Sequence, residues 1–279
     1  MTVQVVTDSS SRLSLDELKE WSIRQVPLHV LVDDLDLRDG IDDIPNDVFD
    51  RNQVTTSGAS PADLAQAYRE ALADSDGDGV VAVHLSAALS STFSSAAAAA
   101  REFGSAVRVV NTRSAAMGVG CVALAAARAA AAGAELDAVE AAARATATRG
   151  HVFIVVHRLD NLRRSGRIGT AASWLATALS MKPLLHLDVD GRLVLAQRVR
   201  TVSKAHAAMV DSIAEVVGED SASITVHHVD NHDAAAELGA ALTARLPQLE
   251  SLTVRDMGAV LAVHVGAGAV GACVTLAEA

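Results

Sequence analysis

The chain has 279 residues and a formal net charge of −11 at pH 7. No basic run or aromatic-basic stripe offsets that charge, which excludes the usual electrostatic surface of a nucleic-acid-binding protein. Half of the residues are hydrophobic but only 3% are aromatic, so Ala, Val and Leu must build the core. The length allows one large domain or two domains of ordinary size.

The chain shows no targeting or membrane signal. Cys121 and Cys273 lie far apart in apolar surroundings and are interpreted as reduced, buried thiols of a cytoplasmic protein. The first residues lack a basic segment, so no signal peptide is predicted. Residues 115–127 are too short to span a bilayer, and residues 258–277 are Gly-rich and contain His264. We interpret residues 258–277 as buried strands and turns, and we predict no membrane insertion.

In the first half of the chain, strands alternate with helices. We predict, in order, a strand at 3–7, a helix from Ser14, a strand at 25–32, an acidic loop or hairpin at 33–43, a helix from Ser60, a strand at 79–85, a helix at 91–103, a strand at 106–111 and a helix at 115–132. Ser14 and Glu17 form a capping-box pattern, and Ser60-Pro61 places a cap residue before a proline at the first helical position. Such alternation is typical of a parallel sheet covered by helices on both faces.

The second half has a different pattern. We predict, in order, a strand at 151–156, an apolar helix near 171–178, a hairpin formed by 182–189 and 192–200 around Asp190-Gly191, a helix at 203–217, a strand at 223–229, a helix at 233–246, a strand at 251–255 and a Gly-rich tail. The fold class predicted is therefore α/β with two domains. Domain 1–150 has a mostly parallel sheet between helices, and domain 151–279 has a mixed sheet with helices and a hairpin.

Asp8 follows the first predicted strand, where a phosphoaspartate nucleophile could stand. That chemistry usually needs a second acidic residue two places later to hold magnesium, and Ser10 occupies that position. Asp and Ser readily form local hydrogen bonds with the backbone at turns. A binding or turn-forming role for Asp8 is therefore favoured.

Hydroxyl residues are concentrated at Thr55-Thr56-Ser57 and at residues 86–95. Ser90, Ser91 or Thr92 could cap the helix that follows. The same hydroxyls, next to a helix N-terminus, could also form an anion site. The two interpretations are compatible, and the residue types alone do not choose between them.

Two groups resemble metal sites but are better explained as structure. His227, His228, Asp230 and His232 fall at a strand end, and consecutive strand residues point to opposite faces. The calcium-loop-like start at residues 188–191 lacks the distal acidic residue and is explained by the hairpin. No phosphate loop and no serine-hydrolase motif is present. We therefore predict no metal, no cofactor and no catalytic residue.

Two further features carry positive or titratable groups. Arg163, Arg164 and Arg167 surround Gly166 and form a local basic patch in an acidic protein, either a solvated loop or a surface for an anionic partner. His264 stands in a predicted apolar strand before Gly266-Ala267-Gly268, where a lone histidine is usually a satisfied core residue.

Taken in order along the chain, these segments resemble the DegV family of fatty-acid-binding proteins. The resemblance is carried by Thr7-Asp8-Ser9-Ser10, Thr56-Ser57-Gly58-Ala59, Leu89-Ser90-Ser91-Thr92-Phe93, Asn111-Thr112, Ser165-Gly166-Arg167-Ile168, Lys182-Pro183-Leu184-Leu185 and His264-Val265-Gly266-Ala267-Gly268. This sequence departs from the family's motifs at Gly58, Ala59, Ser91, Asn111, Ser165 and Ala267.

The resemblance implies two α/β domains, with a long-chain fatty acid buried in the second and its carboxyl group near the domain interface. It also implies a partner fatty acid kinase that phosphorylates the bound acid to an acyl phosphate. Carried over, Thr56, Ser90 and His264 would contact the carboxyl group. Further ligand-site candidates are Asp8, Ser9, Ser57, Ser91, Thr92, Arg167 and Gly266. Candidates for the acyl pocket are Trp174, Leu175, Leu179, Met181 and Leu184.

Two other functions stay open at this point. One is a metal-dependent phosphotransferase or phosphatase that uses Asp8. The other is a carrier for a different amphipathic acid, which the altered motifs allow. The expectation favoured is a binding protein without catalysis, with aliphatic pocket walls and a carboxyl group satisfied by two hydroxyls and an imidazole.

Overall fold

The computed structural model describes residues 2–45, 48, 53–168 and 181–278. The chain forms two compact units. The first contains Met1–Ile44 and Thr56–Thr148, and the second contains Pro45–Thr55 and Arg149–Ala279.

The part of the chain up to residue 148 contains both strands and helices. They are β1 (Gln4–Asp8), α1 (Leu15–Glu20), β2 (Ile23–Val26), β3 (His29–Val32), β4 (Leu35–Arg38), β5 (Val54–Ser57), α2 (Pro61–Ser75), β6 (Val80–His84), α3 (Thr92–Ala100), β7 (Val107–Asn111), α4 (Met117–Ala131) and α5 (Leu136–Thr148). Within the described residues, the central sheet has the order β2-β1-β6-β7. All of its pairings are parallel.

Helices cover this sheet in two pairs. α2 and α3 pack on each other and on the sheet, and so do α4 and α5. The interior strand β6 is apolar on both faces: Val81, Ala82 and Val83 have no exposed surface. This confirms the prediction of a parallel sheet between helices, because a strand buried on both sides needs a continuous apolar run.

The capping signals in the sequence are confirmed. Ser14 accepts a hydrogen bond from the amide of Glu17, and the Glu17 carboxylate accepts one from the amide of Ser14. Ser60 accepts from the amide of Asp63, and Pro61 is the first residue of α2. Each cap satisfies an amide that has no partner inside its helix.

The single strand predicted at 25–32 is wrong. The segment forms β2, which joins the central sheet, and β3, which pairs antiparallel with β4 in a separate sheet of order β4-β3-β5. Pro27 has no amide hydrogen for a ladder, and the Leu28 amide donates to the hydroxyl of Ser9 instead. Of the acidic loop or hairpin predicted at 33–43, the first part is the turn and second strand of a hairpin that begins at His29. Helix α5 was not predicted.

From residue 149 onward the elements form a mixed sheet with helices. They are β8 (Gly150–Val155), α6 (Asp160–Arg164), β9 (Leu184–Leu187), β10 (Leu193–Gln197), α7 (Val202–Val217), β11 (Ala222–His228), α8 (His232–Arg245), β12 (Leu249–Asp256), α9 (Ala259–Val265) and β13 (Val270–Leu276). The strand order among described residues is β10-β9-β8-β13-β11-β12. The β11–β12 pair is parallel and the others are antiparallel. The predicted mixed sheet with a hairpin is confirmed.

The two faces of this mixed sheet have different cores. Phe153 and Val155 of β8 lie in a cluster with apolar residues of α7 and α8, which we call the α7–α8 core. Ile154 and Val156, which point to the opposite side, lie in a smaller cluster with Leu162, Leu185 and Ala262, which we call the α6–α9 face. Several apolar residues of the α6–α9 face are only partly buried, namely Leu159, Leu193, Leu195, Leu261 and Val265.

The prediction that residues 258–277 form strands and turns is wrong for its first part. Residues Ala259–Val265 form α9, and the strand begins at Val270. Hence His264 lies on a helix and not on a strand. The helix predicted near 171–178 lies outside the described residues.

Candidate functional site

Asp8 is the last residue of β1 and has no exposed surface. Its Oδ1 accepts hydrogen bonds from the amide and the hydroxyl of Ser10. Its Oδ2 accepts from the amide of Leu85 at 3.2 Å and contacts Nδ1 of His84 at 2.9 Å. A carboxylate with both oxygens engaged and no access to solvent is poorly suited to attack phosphate. Of the roles considered for Asp8, the geometry favours the structural one.

Ser9 has a similar structural role. Its side chain is buried, and its hydroxyl accepts a hydrogen bond from the amide of Leu28 at 3.0 Å. It therefore fixes the path of the chain between β2 and β3. The side chains of Asp8 and Ser9 are thus both buried and hydrogen-bonded within the protein.

The predicted hydroxyls at 90–92 lie together at the carboxyl edge of the parallel sheet, between β6 and α3. The Ser90 and Thr92 hydroxyls are 2.9 Å apart, and the Thr92 amide donates to the Ser90 hydroxyl. Thr92 is fully buried, Ser90 is half-buried and Ser91 is exposed. Ser91 is the residue before α3 but its side chain makes no capping bond. Of the three predicted cap residues, Ser90 is the one whose hydroxyl accepts from the first amide of α3.

The segment at the end of β5 comes close to the same hydroxyls. A Cβ atom added to Gly58 would lie 2.6 Å from Oγ1 of Thr92, so any larger residue at position 58 would push against that hydroxyl. Thr56 is half-buried, and Ser57 is exposed with its hydroxyl donating to the carbonyl of Gly58. The structure thus brings two of the predicted motifs together in the first unit. Glycine at 58 is what allows their close approach.

In the second unit, the turn before β13 is tied to its neighbours at one edge of the mixed sheet. The Gly268 amide donates to the carbonyl of Val229, and the Asn231 side chain donates to the carbonyl of Gly268. Gly268 has φ +80°, and an added Cβ would lie against the ring of His157. Gly266, with φ +81°, ends α9 and packs against the side chain of Asn161. Both glycines are required by conformation and by close packing.

His264 lies in the last turn of α9. Burial, together with the positive charge of Arg167, lowers the pKa of His264 to about 4. The imidazole is therefore neutral at pH 7, with one nitrogen as a donor and the other as an acceptor. Burial also lowers the pKa of Arg167 from its ordinary value of 12.5, and its side chain stays charged at neutral pH. A neutral N–H donor near a half-buried guanidinium is suited to bind a carboxylate.

The pocket candidates fall in different places. Trp174, Leu175 and Leu179 lie outside the described residues. Met181 is half-buried, and Leu184 is fully buried in the α7–α8 core. Leu185, one residue later, belongs to the α6–α9 face.

The basic patch is partly exposed. Arg163 and Arg164 end α6 with exposed side chains, and Arg167 is half-buried. The Arg164 guanidinium donates to the Asn161 side chain at 2.7 Å. Two of the three positive charges are thus available at the surface of the second unit.

Neither a metal cluster nor a membrane span is found in the part of the chain that the structure describes. No three His, Cys, Asp or Glu side chains there are grouped so that they could hold a metal ion. None of its helices combines the length and the hydropathy that a bilayer requires.

Sequence reasoning missed His84 and Tyr68. His84 ends β6, is fully buried, and contacts Asp8 through Nδ1 and the Tyr68 hydroxyl through Nε2 at 3.1 Å. The available signal was a polar residue closing an otherwise apolar strand. Its partner Asp8 is 76 residues away, and only the sheet brings the two together.

Fold and site together define a protein of two α/β units, with hydroxyls at the edge of one sheet and a neutral histidine beside an arginine in the other. A family model described as "Uncharacterised protein, DegV family" matches residues 2–276. A DegV domain-containing protein of Mycobacterium tuberculosis is 61% identical over 274 residues, which cover 98% of this chain and 97% of the relative. The chain belongs to the DegV family.

Solved structures agree with this membership. A DegV family protein from Thermus thermophilus, whose structure is described as fatty acid binding, superposes with a TM-score of 0.93 at 34% identity, covering 99% of this chain and 100% of that one. DegV of Bacillus subtilis, described as a fatty acid binding protein, superposes with a TM-score of 0.87 at 26% identity, with coverage of 99% and 100%. The fold predicted from the sequence is therefore confirmed over nearly the whole chain.

Proposed function

We propose that this protein binds a long-chain fatty acid and presents its carboxyl group to a partner kinase, without catalysing a reaction itself. The observation that carries the proposal is the likeness to the fatty-acid-binding protein of Thermus thermophilus over 99% of the chain. Asp8, the residue on which the enzymatic alternative depends, is buried and fully hydrogen-bonded. The chemistry of the second unit supports the choice of ligand.

The α6–α9 face is the proposed surface for the acyl chain. It is built from aliphatic residues, and a group of them remains only partly buried. Burying one methylene contributes about 0.8 kcal/mol, so a long acyl chain gains on the order of 10 kcal/mol before ordering costs. His264 and Arg167 lie on the same side of the sheet, because α9 and α6 pack together there. A carboxylate is favoured near Arg167 even though the protein as a whole is acidic.

The cargo is tested on the protein as purified. We expect roughly one fatty acid per chain on solvent extraction and mass spectrometry, because a buried acyl chain dissociates slowly. Protein from which lipid has been removed should take up a fatty acid on incubation. Material that carries no fatty acid and takes none up would refute the proposal.

The carboxyl-binding residues proposed are Thr56 and Ser90 of the first unit and His264 of the second. Removing one donor to a carboxylate costs about 1.5–3 kcal/mol, which is a roughly ten- to hundredfold loss of affinity. Thr56→Val, Ser90→Ala and His264→Ala should each weaken binding of a fatty acid and leave binding of the fatty alcohol of equal length unchanged.

Two variants serve as matched controls. Thr55→Val changes the neighbouring exposed hydroxyl on β5, whose side chain points to the other face of the strand. Ser94→Ala removes an exposed hydroxyl from α3. Neither should alter the ratio of acid to alcohol affinity. If all three site variants keep the wild-type ratio, the assignment of these residues is wrong.

The partner is proposed to dock on the basic patch. Arg163 and Arg164 are exposed, so reversing both to Glu should slow phosphorylation of the bound fatty acid by a fatty acid kinase and leave fatty acid binding intact. Arg101→Glu with Arg245→Glu changes the net charge equally at exposed sites elsewhere and is the control. Equal phosphorylation rates in both double variants would show that the patch is a solvated loop. The thiols of Cys121 and Cys273 fit the proposed cytoplasmic location.

A further inference from the structure

In the parallel sheet, the direction in which successive strands are added reverses between β1 and β6. β2 lies on one side of β1, while β6 and β7 lie on the other. In open α/β sheets, the crevice at such a point, outside the carboxyl ends of the strands, is where ligands usually bind. In this protein the carboxyl ends of β1 and β6 carry Asp8 and His84, which contact each other at 2.9 Å with no exposed surface. Buried side chains of the protein therefore fill this position.

Hydrogen bonds hold this pair in place. Burial, with the negative charge of Asp8, raises the pKa of Tyr68 well above its ordinary value of 10, so its hydroxyl keeps its proton. Tyr68 then donates to Nε2 of His84, and Nδ1–H of His84 donates to Asp8. The Asp8 carboxylate also accepts from Ser10 and from the Leu85 amide. The buried Asp8 side chain is thus bonded to donors on two parts of the chain, Ser10 and residues 84–85, and Tyr68 holds His84 from a third, which makes the arrangement rigid and specific.

This pair is connected to the segment that carries the hydroxyls, residues 85–92, which we call the hydroxyl loop. The loop begins at Leu85, whose amide is held by Asp8. Ser86 follows Leu85, and its carbonyl accepts hydrogen bonds from the amides of Leu89 at 3.0 Å and Ser90 at 3.1 Å. Ser90 in turn contacts Thr92. Hydrogen bonds and the short backbone segment of residues 85–86 therefore link Asp8 to Ser90.

The backbone of His84 also links the hydroxyl loop to the residues that follow β7. Its carbonyl accepts from both the amide and the hydroxyl of Thr112, at 3.1 Å and 2.9 Å. The Ser86 amide donates to the carbonyl of Ser114 at 2.8 Å. The loop after β6 is thus attached to the loop after β7.

We propose that Asp8 and His84 are positioning residues that hold the hydroxyl loop so that Ser90 presents its hydroxyl to the carboxyl group of a bound fatty acid. This inference rests on the proposed function, since it deepens the account of the same site. Neither residue contacts the ligand, because both are fully buried. They act on binding only through the loop.

The test compares two ligands that share a tail and differ in the headgroup. Palmitic acid and hexadecanol are titrated into lipid-free protein. His84→Leu removes the contacts with Asp8 and Tyr68 and should weaken palmitic acid binding about tenfold, the effect of one lost hydrogen bond to a charged group. Hexadecanol affinity should stay within about twofold. His84→Asn keeps a donor near the position of Nδ1 and should restore most of the palmitic acid affinity.

A matched control separates positioning from stability. Ser75 is a buried polar residue near the opposite edge of the same sheet, where its hydroxyl accepts from the Gly79 amide. Ser75→Ala should lower the melting temperature without changing the ratio of the two affinities. If His84→Leu does not fold, Asp8→Asn replaces it, because that change preserves side-chain size and should give the same selective loss.

Hydrogen exchange tests the positioning role without any ligand. In lipid-free protein, amides in residues 85–92 should exchange about tenfold faster in His84→Leu than in wild type, while those of α2 stay unchanged. Unchanged exchange in the loop, or an equal loss of affinity for both ligands, would overturn the inference. A wild-type protein that binds neither ligand would instead overturn the proposed function, and the exchange experiment would still decide the role of His84.

Discussion

Replacing His264 by Gln should make the stability of the second unit less dependent on pH. The ordinary pKa of a histidine is 6.5, and that of His264 in the folded protein is lowered to about 4 by burial and by Arg167. Between these two values the unfolded chain binds a proton that the folded chain does not. The contribution of His264 to the free energy of unfolding therefore has its full value above pH ~6.5 and decreases as the pH falls toward ~4.

The size of the effect follows from the two pKa values. The difference between 6.5 and about 4 corresponds to roughly 3 kcal/mol at 1.36 kcal/mol per pKa unit. The ring retains some contact with solvent, so we expect about 2 kcal/mol of pH-dependent stability to disappear in His264→Gln. Burial also lowers the pKa of His151, His157 and His206. These three histidines remain in the variant and should leave a residual slope of the same sign.

The assay is native-state hydrogen exchange of β8 and β13, which report the opening of the second unit, at pH values from about 7.5 to about 4. His232→Gln is the matched control, because that side chain is 71% exposed and lies at the start of α8 in the same unit. The wild type and the control should lose stability in parallel as the pH falls. A His264→Gln curve that runs parallel to theirs would refute the reasoning.

Three further predictions concern the fold. Gly271→Ala should destabilise the second unit by roughly 2–3 kcal/mol in urea unfolding. The new Cβ would lie 2.8 Å from the carbonyl oxygen of Phe153, a backbone atom that cannot rotate away. A free energy of unfolding equal to that of the wild type would contradict this. Ser60→Ala should lower the free energy of unfolding by about 1 kcal/mol. Ser91→Ala removes a side chain that makes no capping bond and should leave the free energy of unfolding almost unchanged. Equal losses in the two variants would argue against the capping account. Arg24→Gln should lower the melting temperature slightly at low salt and by even less at high salt, because the two carboxylate partners of Arg24 on α2 are largely exposed. A decrease in melting temperature that does not depend on salt would mean that packing is responsible.

Local signals in the sequence determined much of the first unit. The caps at Ser14 and Ser60 and the apolar run of β6 depend on neighbouring residues, so they could be interpreted without tertiary information. The same holds for the β9–β10 hairpin around Asp190-Gly191. These features are short-range, and the folded protein uses them unchanged. The motifs of the family are also contiguous segments, which is why the resemblance was visible.

Tertiary structure decided what local patterns left ambiguous. Residues 259–265 are apolar on nearly all sides, so helix and strand could not be distinguished by periodicity, and packing against α6 made them a helix. The segment 25–32 looked like one strand until Pro27 and the Ser9 hydroxyl divided it between two sheets.

The chemistry of the site also depends on tertiary contacts. The sequence places Asp8 and His84 far apart, and parallel pairing of β1 with β6 is what brings their side chains to 2.9 Å. The low pKa of His264 likewise comes from burial and from Arg167, which lies 97 positions earlier in the chain. Sequence alone could name these residues by type, but their protonation and contacts exist only once the sheets have formed, because both are set by neighbours that are distant along the chain.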